Sequence, residues 1–515
     1  MGWGVDRPAP ALAMLLRSIA TVGSYTLLSR IVGFLRDLLF AALLGAGPVA
    51  DAFVVAFRLP NLFRALSAEG AFAAAFVPIY ARLLVESRIA AQRFAEDTLA
   101  VMVAVLTVAV LLGEAAMPWI MRALAPGFAD QPQQMALVVE LGRITFPYLL
   151  LISLTAFQGA VLNAHRRFAA MAAAPILLNI ALLAVPPALL SHGIGTGHAF
   201  AWAVIVGGVL QFQFLAIVCQ REGIRLVLPW PRLSPEIRRL FRRMGPGIVG
   251  AGVTQLNLVV GTILATLIAE GAVSYLYYAD RLSQLPLGVV GTAVGTALLP
   301  LLSSELKTDP AKALASHNRA IEAALLLVLP AAAGLVALAE PIVIVLFERG
   351  AFGRPESIAT AQAVSAYALG LPAFVLVKAL APGFLAREDT ATPVKLGTVS
   401  IAVNLALNLA LMKPFGHVGI ALGTAAAAWV NAALLWSTLS RRGHFALDAR
   451  ARRTLPRLLA VTLAMGIAVW AVRPYLPAGV LGLAILIAFG AAVFGALALL
   501  SGAASLADLR RALRR

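Results

Sequence analysis

The sequence predicts an all-α integral membrane protein of about 14 transmembrane helices, with two six-helix lobes related as parallel repeats and two extra C-terminal helices. The chain of 515 residues is 61% hydrophobic and 13% charged, and its mean hydropathy is +0.90. Uncharged apolar stretches of about 20 residues, the length that crosses roughly 30 Å of hydrocarbon, recur along the whole chain. This composition excludes a soluble protein.

The predicted spans divide the chain into three regions. An N-terminal lobe (1–220) holds the first six spans, a C-terminal lobe (221–442) holds the next six, and the remainder (443–515) holds two extra spans and a tail. In chain order, the spans are expected at 18–46, 51–81, 95–121, 135–162, 170–190, 197–219, 245–269, 273–303, 320–346, 357–385, 393–412, 417–439, 455–473 and 477–500.

Basic residues fall in alternate loops between these spans. Most of the 41 lysines and arginines lie at the two termini and in the even-numbered loops. Because loops rich in positive charge stay in the cytoplasm, both termini are predicted to be cytoplasmic. The net charge of +17 follows the same pattern, so no nucleic-acid partner is expected. The odd-numbered loops hold only Arg122, Arg349, Arg354, Lys413 and Arg473.

An internal repeat is visible at an offset of about 220–225 residues. "DAFVVAFRLPNLF" (51–63) resembles "SYLYYADRLSQLP" (274–286), and Asn179 corresponds to Asn404. Each half would hold six spans, an even number, so the halves would share an orientation and be related by an axis along the membrane normal. Chance similarity between apolar helices is the alternative, and the agreement of several matches at one offset argues against it.

Charged residues interrupt the first apolar run in the stretch "SRIVGFLRD" (29–37). The apolar flanks, 18–29 and 38–50, are each too short to cross a membrane alone, so one crossing must contain the charges. In the alternative interpretation 11–29 is the span and the charged stretch lies at the membrane interface.

On a helix, Arg30 and Asp37 share a face, whereas Arg36 points about 120° away from Arg30. We expect Asp37 to pair with an arginine and the remaining guanidinium groups to face a water-filled cavity. The second span also mixes acids with arginines: Asp51, Arg58, Arg64 and Glu69.

Arginine outnumbers acid in these two spans. Because an intramembrane charge costs at least about 2.5 kcal/mol, a surplus of one sign favours a bound anion over a closed set of structural ion pairs. Guanidinium groups suit phosphate because they bind its oxygens in bidentate fashion and stay ionised when buried. GC-rich codon usage would explain why arginine is more frequent than lysine in this chain, but it would not explain where the arginines lie. Pro60 removes a backbone donor from the second span and is predicted to act as a hinge.

Motifs for catalysis or metal binding are missing from the sequence. It has no Walker A loop, no nucleophile–His–acid arrangement and no metal-ligand spacing, so neither an enzyme nor a cofactor is expected. Transport would draw on an ion gradient, the membrane potential or the substrate's own gradient. The single cysteine, Cys219, excludes an intramolecular disulfide.

A set of motifs in order resembles the lipid II flippase (MurJ, or MviN) family of the MOP (multidrug/oligosaccharidyl-lipid/polysaccharide) exporter superfamily, over nearly the whole chain. The resemblance implies movement of lipid II, an undecaprenyl-pyrophosphate-linked disaccharide peptide, from the inner to the outer leaflet of the bacterial inner membrane by alternating access. Membrane lipids and proteins of cell-wall synthesis are the further candidate partners. The motifs are "SRIVGFLRD", "DAFVVAFRLPNLFRALSAEGAF", "FVPIY", "APGF", "ITFPYLLLISL", "AWAVIVGGVLQ", "YYADRL", "LAPGF" and "TPVK".

The resemblance also implies site residues. The substrate-binding arginines would be Arg30, Arg36, Arg64 and Arg281, of which Arg281 is assigned by the resemblance alone. Asp37 and Asp51 match the acidic partners of the family, and Glu69 and Asp280 are expected as further supporting charges.

Two departures from the family pattern concern charge. Gln284 stands where some members have Glu, which argues against a charged gate pair there. Some members are thought to hold sodium through acids, but residues 244–269 contain none and the candidate helix offers Asn404 and Asn408, so no sodium site is expected.

Two other functions stay open at this stage. The first is a multidrug or O-antigen-type lipid-oligosaccharide exporter of the same superfamily, although a cationic drug would favour carboxylates over arginines. The second is a non-transporting membrane scaffold in cell-wall synthesis, which would show satisfied ion pairs and no open cavity.

Overall fold

The computed structural model describes residues 10–67 and 71–504, with side chains described except at 10–20, 65–67, 71 and several positions between 246 and 296. The described chain is helical and contains no β-strand. Its helices are α1 (Pro10–Leu44), α2 (Pro48–Ser67), α3 (Ala71–Glu86), α4 (Arg88–Leu124), α5 (Pro132–Thr145), α6 (Tyr148–Ala164), α7 (Phe168–Leu190), α8 (Thr196–Arg221), α9 (Pro235–Thr266), α10 (Ala272–Thr308), α11 (Pro310–Phe347), α12 (Arg354–Ala368), α13 (Leu371–Leu385), α14 (Ala391–Arg441), α15 (Ala449–Val472) and α16 (Val480–Leu500).

Nine helical segments in the described ranges are long and apolar enough to cross a membrane. The all-α membrane fold predicted from composition is therefore confirmed, whereas the number of about 14 spans stays a prediction. The helices that carry the charged motifs, α1, α2 and α10, are not among the nine. One of the nine, α14, contains a break at Gly416, whose φ of +57° only glycine adopts readily.

The helix order repeats along the chain. Helices α4, α5, α6 and α7 begin at residues 88, 132, 148 and 168, and α11, α12, α13 and α14 begin at 310, 354, 371 and 391. Each pair of starts differs by 222 or 223 residues, which lies within the offset found between the sequence motifs. The repeat therefore extends from sequence to helix boundaries.

Two predicted single spans are each built from two helices. The fourth span is divided into α5 and α6 at Phe146–Pro147, and the tenth is divided into α12 and α13 at Leu369–Gly370. Pro147 lacks a backbone N–H and its ring disfavours a continuous helix, which accounts for the first division. The corresponding position of the second half uses Gly370 followed by Pro372.

The chain divides into two compact units, Met1–Ile263 and Leu264–Arg515. In the first unit, the aromatic rings of Phe76, Phe94 and Phe157 pack together where α3, α4 and α6 meet. In the second unit, the core joins α10, α11, α13 and α14 through small and branched side chains such as Val328 and Ala379.

Helix α15 is attached to α11 near both of its ends. At its N-terminal end, Arg319 of α11 pairs with Asp448, which also caps α15 by accepting a 2.7 Å hydrogen bond from the Ala451 N–H. At the other end, Arg473 donates a 2.6 Å hydrogen bond to Glu340 of α11. The first of the two extra C-terminal helices is therefore held to the preceding lobe by ion pairs as well as by apolar packing.

Candidate functional site

Arg36 lies inside α1 with its guanidinium group bound to the neighbouring Asp37. Its Nε and Nη2 donate hydrogen bonds of 3.1 and 2.7 Å to one oxygen, Oδ1. Asp37 is only 4% exposed, so this carboxylate is held largely away from water. Successive helical residues point about 100° apart, and the long arginine side chain therefore curves around α1 to reach Asp37. Arg36 is therefore an ion-pair partner of Asp37.

The third nitrogen of Arg36 connects α1 to α7. Its Nη1 donates a 2.9 Å hydrogen bond to Oδ1 of Asn179, and Asn179 Nδ2 donates a 3.1 Å hydrogen bond to the backbone oxygen of Ser29. A Cβ atom at Gly33 would lie 3.3 Å from Asn179 Nδ2, so this glycine of "SRIVGFLRD" gives Asn179 its close approach. Asn179 thus fixes the orientation of Arg36. Sequence reasoning noted Asn179 only as a repeat match and missed this role.

Arg30 differs from Arg36 in its surroundings. It lies on the same helix but is exposed. With the residues that the structure describes, it makes neither a hydrogen bond nor an ion pair. Helix α1 therefore presents one arginine that is already engaged and one that is available to an anion.

Asp51 is fully buried in the first turn of α2. A carboxylate in this position is favoured by the partial positive charge at a helix N-terminus. Two turns later, Arg58 donates hydrogen bonds of 3.1 and 2.9 Å from Nε and Nη2 to the hydroxyl of Thr262 on α9. Arg58 therefore contributes to packing between α2 and α9 within the first unit.

Arg64 lies in the last turn of α2 and is half-buried. Its Nε donates a 3.2 Å hydrogen bond to Asn61 Oδ1. Asn61 therefore contacts Arg64 from within the same helix, one turn away.

Helix α2 continues through Pro60. The missing proline N–H leaves the Ala56 carbonyl without its helical donor, and the Thr145 hydroxyl of α5 lies 3.5 Å from that oxygen. Asn61 Nδ2 donates a 3.0 Å hydrogen bond to the next carbonyl, that of Phe57. Side chains thus replace part of the backbone bonding around Pro60, and its role as a hinge stays a prediction.

Arg281 and Asp280 lie in the first part of α10, in the second unit. The guanidinium carbon of Arg281 is 4.9 Å from the centre of the Tyr277 ring, within the range of a cation–π contact. Gln284 donates a 2.5 Å hydrogen bond from Nε2 to Asp280 Oδ2, one helical turn away. A glutamate at position 284 would instead place two carboxylates side by side, so the amide suits this site. The remaining expected charge, Glu69, lies outside the described residues.

The family model for lipid II flippase MurJ matches residues 40–490. The chain belongs to the lipid II flippase MurJ family. The family is one of lipid transporters, and the prediction of family and superfamily from the sequence motifs is confirmed.

Individual relatives agree with this assignment. A probable lipid II flippase MurJ of Rhizobium tropici is 43% identical over 519 residues, covering 97% of each chain. The lipid II flippase MurJ of Burkholderia cenocepacia is 37% identical over 442 residues, covering 84% of this chain and 85% of that one.

Solved structures show the same fold. A lipid II flippase MurJ in an inward closed conformation has a TM-score of 0.78 at 23% identity and covers 96% of this chain and 99% of its own. An inward-facing multidrug resistance MATE transporter of the MOP superfamily has a TM-score of 0.66 at 15% identity, covering 81% of this chain and 95% of its own. The fold of this family member is therefore that of the MOP superfamily.

The helix of the second unit that offers asparagines and no acids is α14, and two of its asparagines are hydrogen-bonded to each other. Asn404 and Asn408 of α14 are both buried, and Asn408 Nδ2 donates a 3.1 Å hydrogen bond to Asn404 Oδ1. Asn404 Nδ2 in turn donates to the Thr424 hydroxyl at 3.3 Å. Neutral amides and a hydroxyl hold this part of the lobe together, and no group of three or more potential metal ligands occurs in the described ranges.

Proposed function

We propose that this chain moves lipid II from the inner to the outer leaflet of the bacterial inner membrane by alternating access, with both of its termini in the cytoplasm. The pyrophosphate would be bound by Arg30, Arg36, Arg64 and Arg281 within a water-filled cavity. Family membership supports the substrate class, because the relatives are named for lipid II. Similarity of the fold to both inward-facing and outward-facing MATE transporters supports alternating access.

The observation that carries the proposed site is the surplus of arginine on α1 and α2. In the two predicted spans, Arg30, Arg36, Arg58 and Arg64 stand against three acids, Asp37, Asp51 and Glu69. A purely structural network would bring these charges closer to balance, since each unbalanced charge inside a membrane is costly. A cationic substrate would be repelled by the same surplus, which disfavours a multidrug exporter.

Arg36 shows how such a site would receive a phosphate. Its Nε and Nη2 already bind an anionic oxygen, that of Asp37. A pyrophosphate oxygen has the charge and geometry to replace this carboxylate oxygen on the same guanidinium edge. Arg30 would supply the first contact because it is exposed, and Arg36 would be released from Asp37 as the substrate enters.

The isoprenoid tail requires an apolar surface, which the second unit offers. Helices α11, α15 and α16 line a groove of about 660 Å³, with Leu335, Ile342, Leu486 and Phe494 among its walls. We assign the tail to this groove, so that lobe movement carries the headgroup while the tail stays in an apolar setting. A membrane potential would contribute about 2.3 kcal/mol per charge moved across 100 mV.

Reversal of one site charge tests the proposal. Arg64→Glu should abolish growth of a strain depleted of its own lipid II flippase, and labelled lipid II should accumulate in the inner leaflet. Arg122→Glu, an identical charge change at an exposed position near the end of α4, should support growth. Immunoblots of the membrane fraction must show equal insertion of both variants. Normal growth with Arg64→Glu would exclude Arg64 from the site.

A further inference from the structure

The first turns of α9 have two faces of opposite character. Ile237, Leu240 and Met244 are buried in the aromatic core formed with α3 and α4. Four arginines on the remaining surface of these turns are exposed: Arg238, Arg239, Arg242 and Arg243. The spacing of three and four residues between buried side chains is that of an amphipathic helix packed on a core. This start of α9 is therefore fixed in place, with its arginines outward.

The four arginines form a recess. Together with Pro235 they line a volume of about 440 Å³, called here the α9 recess. With the residues in the described ranges, none of the four guanidinium groups makes an ion pair or a hydrogen bond. Glu236 is the only acid in the first turn. The α9 recess therefore concentrates positive charge that side chains around it do not neutralise.

Exposed apolar residues precede the recess in the chain. Leu228, Trp230 and Leu233 are 57%, 86% and 60% exposed. This connection is held against α4, because the Val227 N–H donates a 3.3 Å hydrogen bond to the carboxylate of Glu96. Tryptophan beside arginine is typical of segments at a membrane surface, where apolar side chains enter the acyl region and charges stay at headgroup depth.

We propose that the α9 recess binds the phosphate of an anionic phospholipid, with Leu228, Trp230 and Leu233 inserted beside it. Guanidinium groups bind phosphate oxygens in bidentate fashion, which fits a phosphodiester headgroup. The uncompensated positive charge favours a lipid with net negative charge over a zwitterionic one. These arginines differ from those assigned to the transported pyrophosphate, so the recess is a second phosphate site with a stationary ligand.

The buried thiol of Cys219 supplies the assay. Cys219 is the only cysteine of the chain and is 4% exposed, packed against Leu162 and Leu215 in the first unit. A thiol-reactive dye therefore labels the protein only when this unit opens, and the temperature of half-labelling measures its stability. The full-length protein would be assayed in neutral detergent micelles with added phosphatidylglycerol or phosphatidylcholine.

A ligand that binds only the folded state raises the unfolding temperature in a saturable manner. We expect phosphatidylglycerol to raise the half-labelling temperature by about 5 °C at a hundredfold excess over its Kd, and phosphatidylcholine to leave it unchanged. Replacement of all four recess arginines by glutamine should remove this rise, because each arginine near an anionic headgroup is worth about fivefold in affinity. The half-labelling temperature of this four-glutamine variant in phosphatidylcholine should equal that of the wild type.

The control replaces four other exposed arginines by glutamine: Arg441, Arg452, Arg453 and Arg457. It carries the same change in net charge and should keep the full response to phosphatidylglycerol. A response that survives in the recess variant, or that is lost equally in the control, would overturn the proposal. An equal rise with inorganic phosphate at matched ionic strength would assign the recess to a soluble anion and overturn the lipid assignment.

Discussion

Asn179→Ala removes a contact that fixes Arg36 from a second helix. The wild-type side chain accepts a 2.9 Å hydrogen bond from Arg36 Nη1 and donates one of 3.1 Å to the Ser29 carbonyl. The substitution deletes both and leaves the hydrogen bonds from Arg36 to Asp37 in place. Since Asn179 is only 7% exposed, bulk water does not readily replace it.

The expected loss of stability follows from these two bonds. A hydrogen bond to a charged group contributes about 1.5–3 kcal/mol. A neutral bond between membrane helices contributes about 0.6–1.7 kcal/mol. The free energy of unfolding should therefore fall by about 2–5 kcal/mol, and the half-labelling temperature of Cys219 by about 4–10 °C.

A double-mutant cycle separates the charged bond from the neutral one. Arg36→Gln, Asn179→Ala and the double variant would be compared by the same labelling assay. Because the two side chains are in contact, their changes should fail to add, with a coupling energy of about 1.5–3 kcal/mol. The repeat-related Asn404→Ala is the matched control, since Asn404 bonds Thr424 rather than an arginine and should add to Arg36→Gln independently.

Additive behaviour of Asn179→Ala and Arg36→Gln, to within about 0.5 kcal/mol, would refute the bridge between α1 and α7. A half-labelling temperature unchanged by Asn179→Ala would refute the estimate as well. In either case, Asn179 would not hold the guanidinium group of Arg36 in the orientation from which pyrophosphate is proposed to displace Asp37.

Two further predictions concern the second unit. Gly423→Ala should destabilise it by about 1–3 kcal/mol, because the new Cβ would lie 2.2 Å from Asn408 Oδ1. The control is Gly397→Ala in the same helix, which has open space around the new Cβ and should leave the stability unchanged. Chemical denaturation measures both variants, and equal losses of stability would contradict this reasoning. Hydrogen bonds from Thr392 hold the pKa of Asp389 well below its usual range, so Asp389 stabilises the fold above its unfolded pKa of about 3.9. The difference in unfolding temperature between wild type and Asp389→Asn should therefore stay constant above about pH 5 and shrink as the pH falls below about 4, and a difference unchanged down to pH 3 would argue against this.

Helix α1 shows what sequence reasoning could establish about the site. Counting the apolar residues on either side of "SRIVGFLRD" predicted one continuous segment that contains the charges, and α1 runs without interruption from Pro10 to Leu44. The partner of Asp37 did not follow from helix periodicity, because a long arginine side chain reaches a neighbour that points elsewhere. The bond between Arg36 and Asn179 joins residues 143 positions apart, a separation at which a single sequence carries no direct signal.

Divided spans show a different limit. The spans were predicted from the length and the hydropathy of apolar stretches. A break of two residues between α5 and α6 changes neither quantity, so the division of the span is not visible in them. The local signals were present as Pro147 and as Gly370 with Pro372. Their agreement at the repeat offset was the stronger indication, since breaks at equivalent positions in both halves belong to the repeated unit.

The two attachments of α15 to α11 have a mechanical consequence for the groove that they border. Sliding or opening one helix against the other would break the Arg319–Asp448 pair at one end and the Arg473–Glu340 pair at the other at the same time. The two pairs therefore oppose a change in the spacing between α11 and α15. Helix α16, which forms the third wall of the groove, is not joined by these pairs, so an apolar chain in the groove would lie on a floor of fixed spacing beside a wall that is free of this restraint.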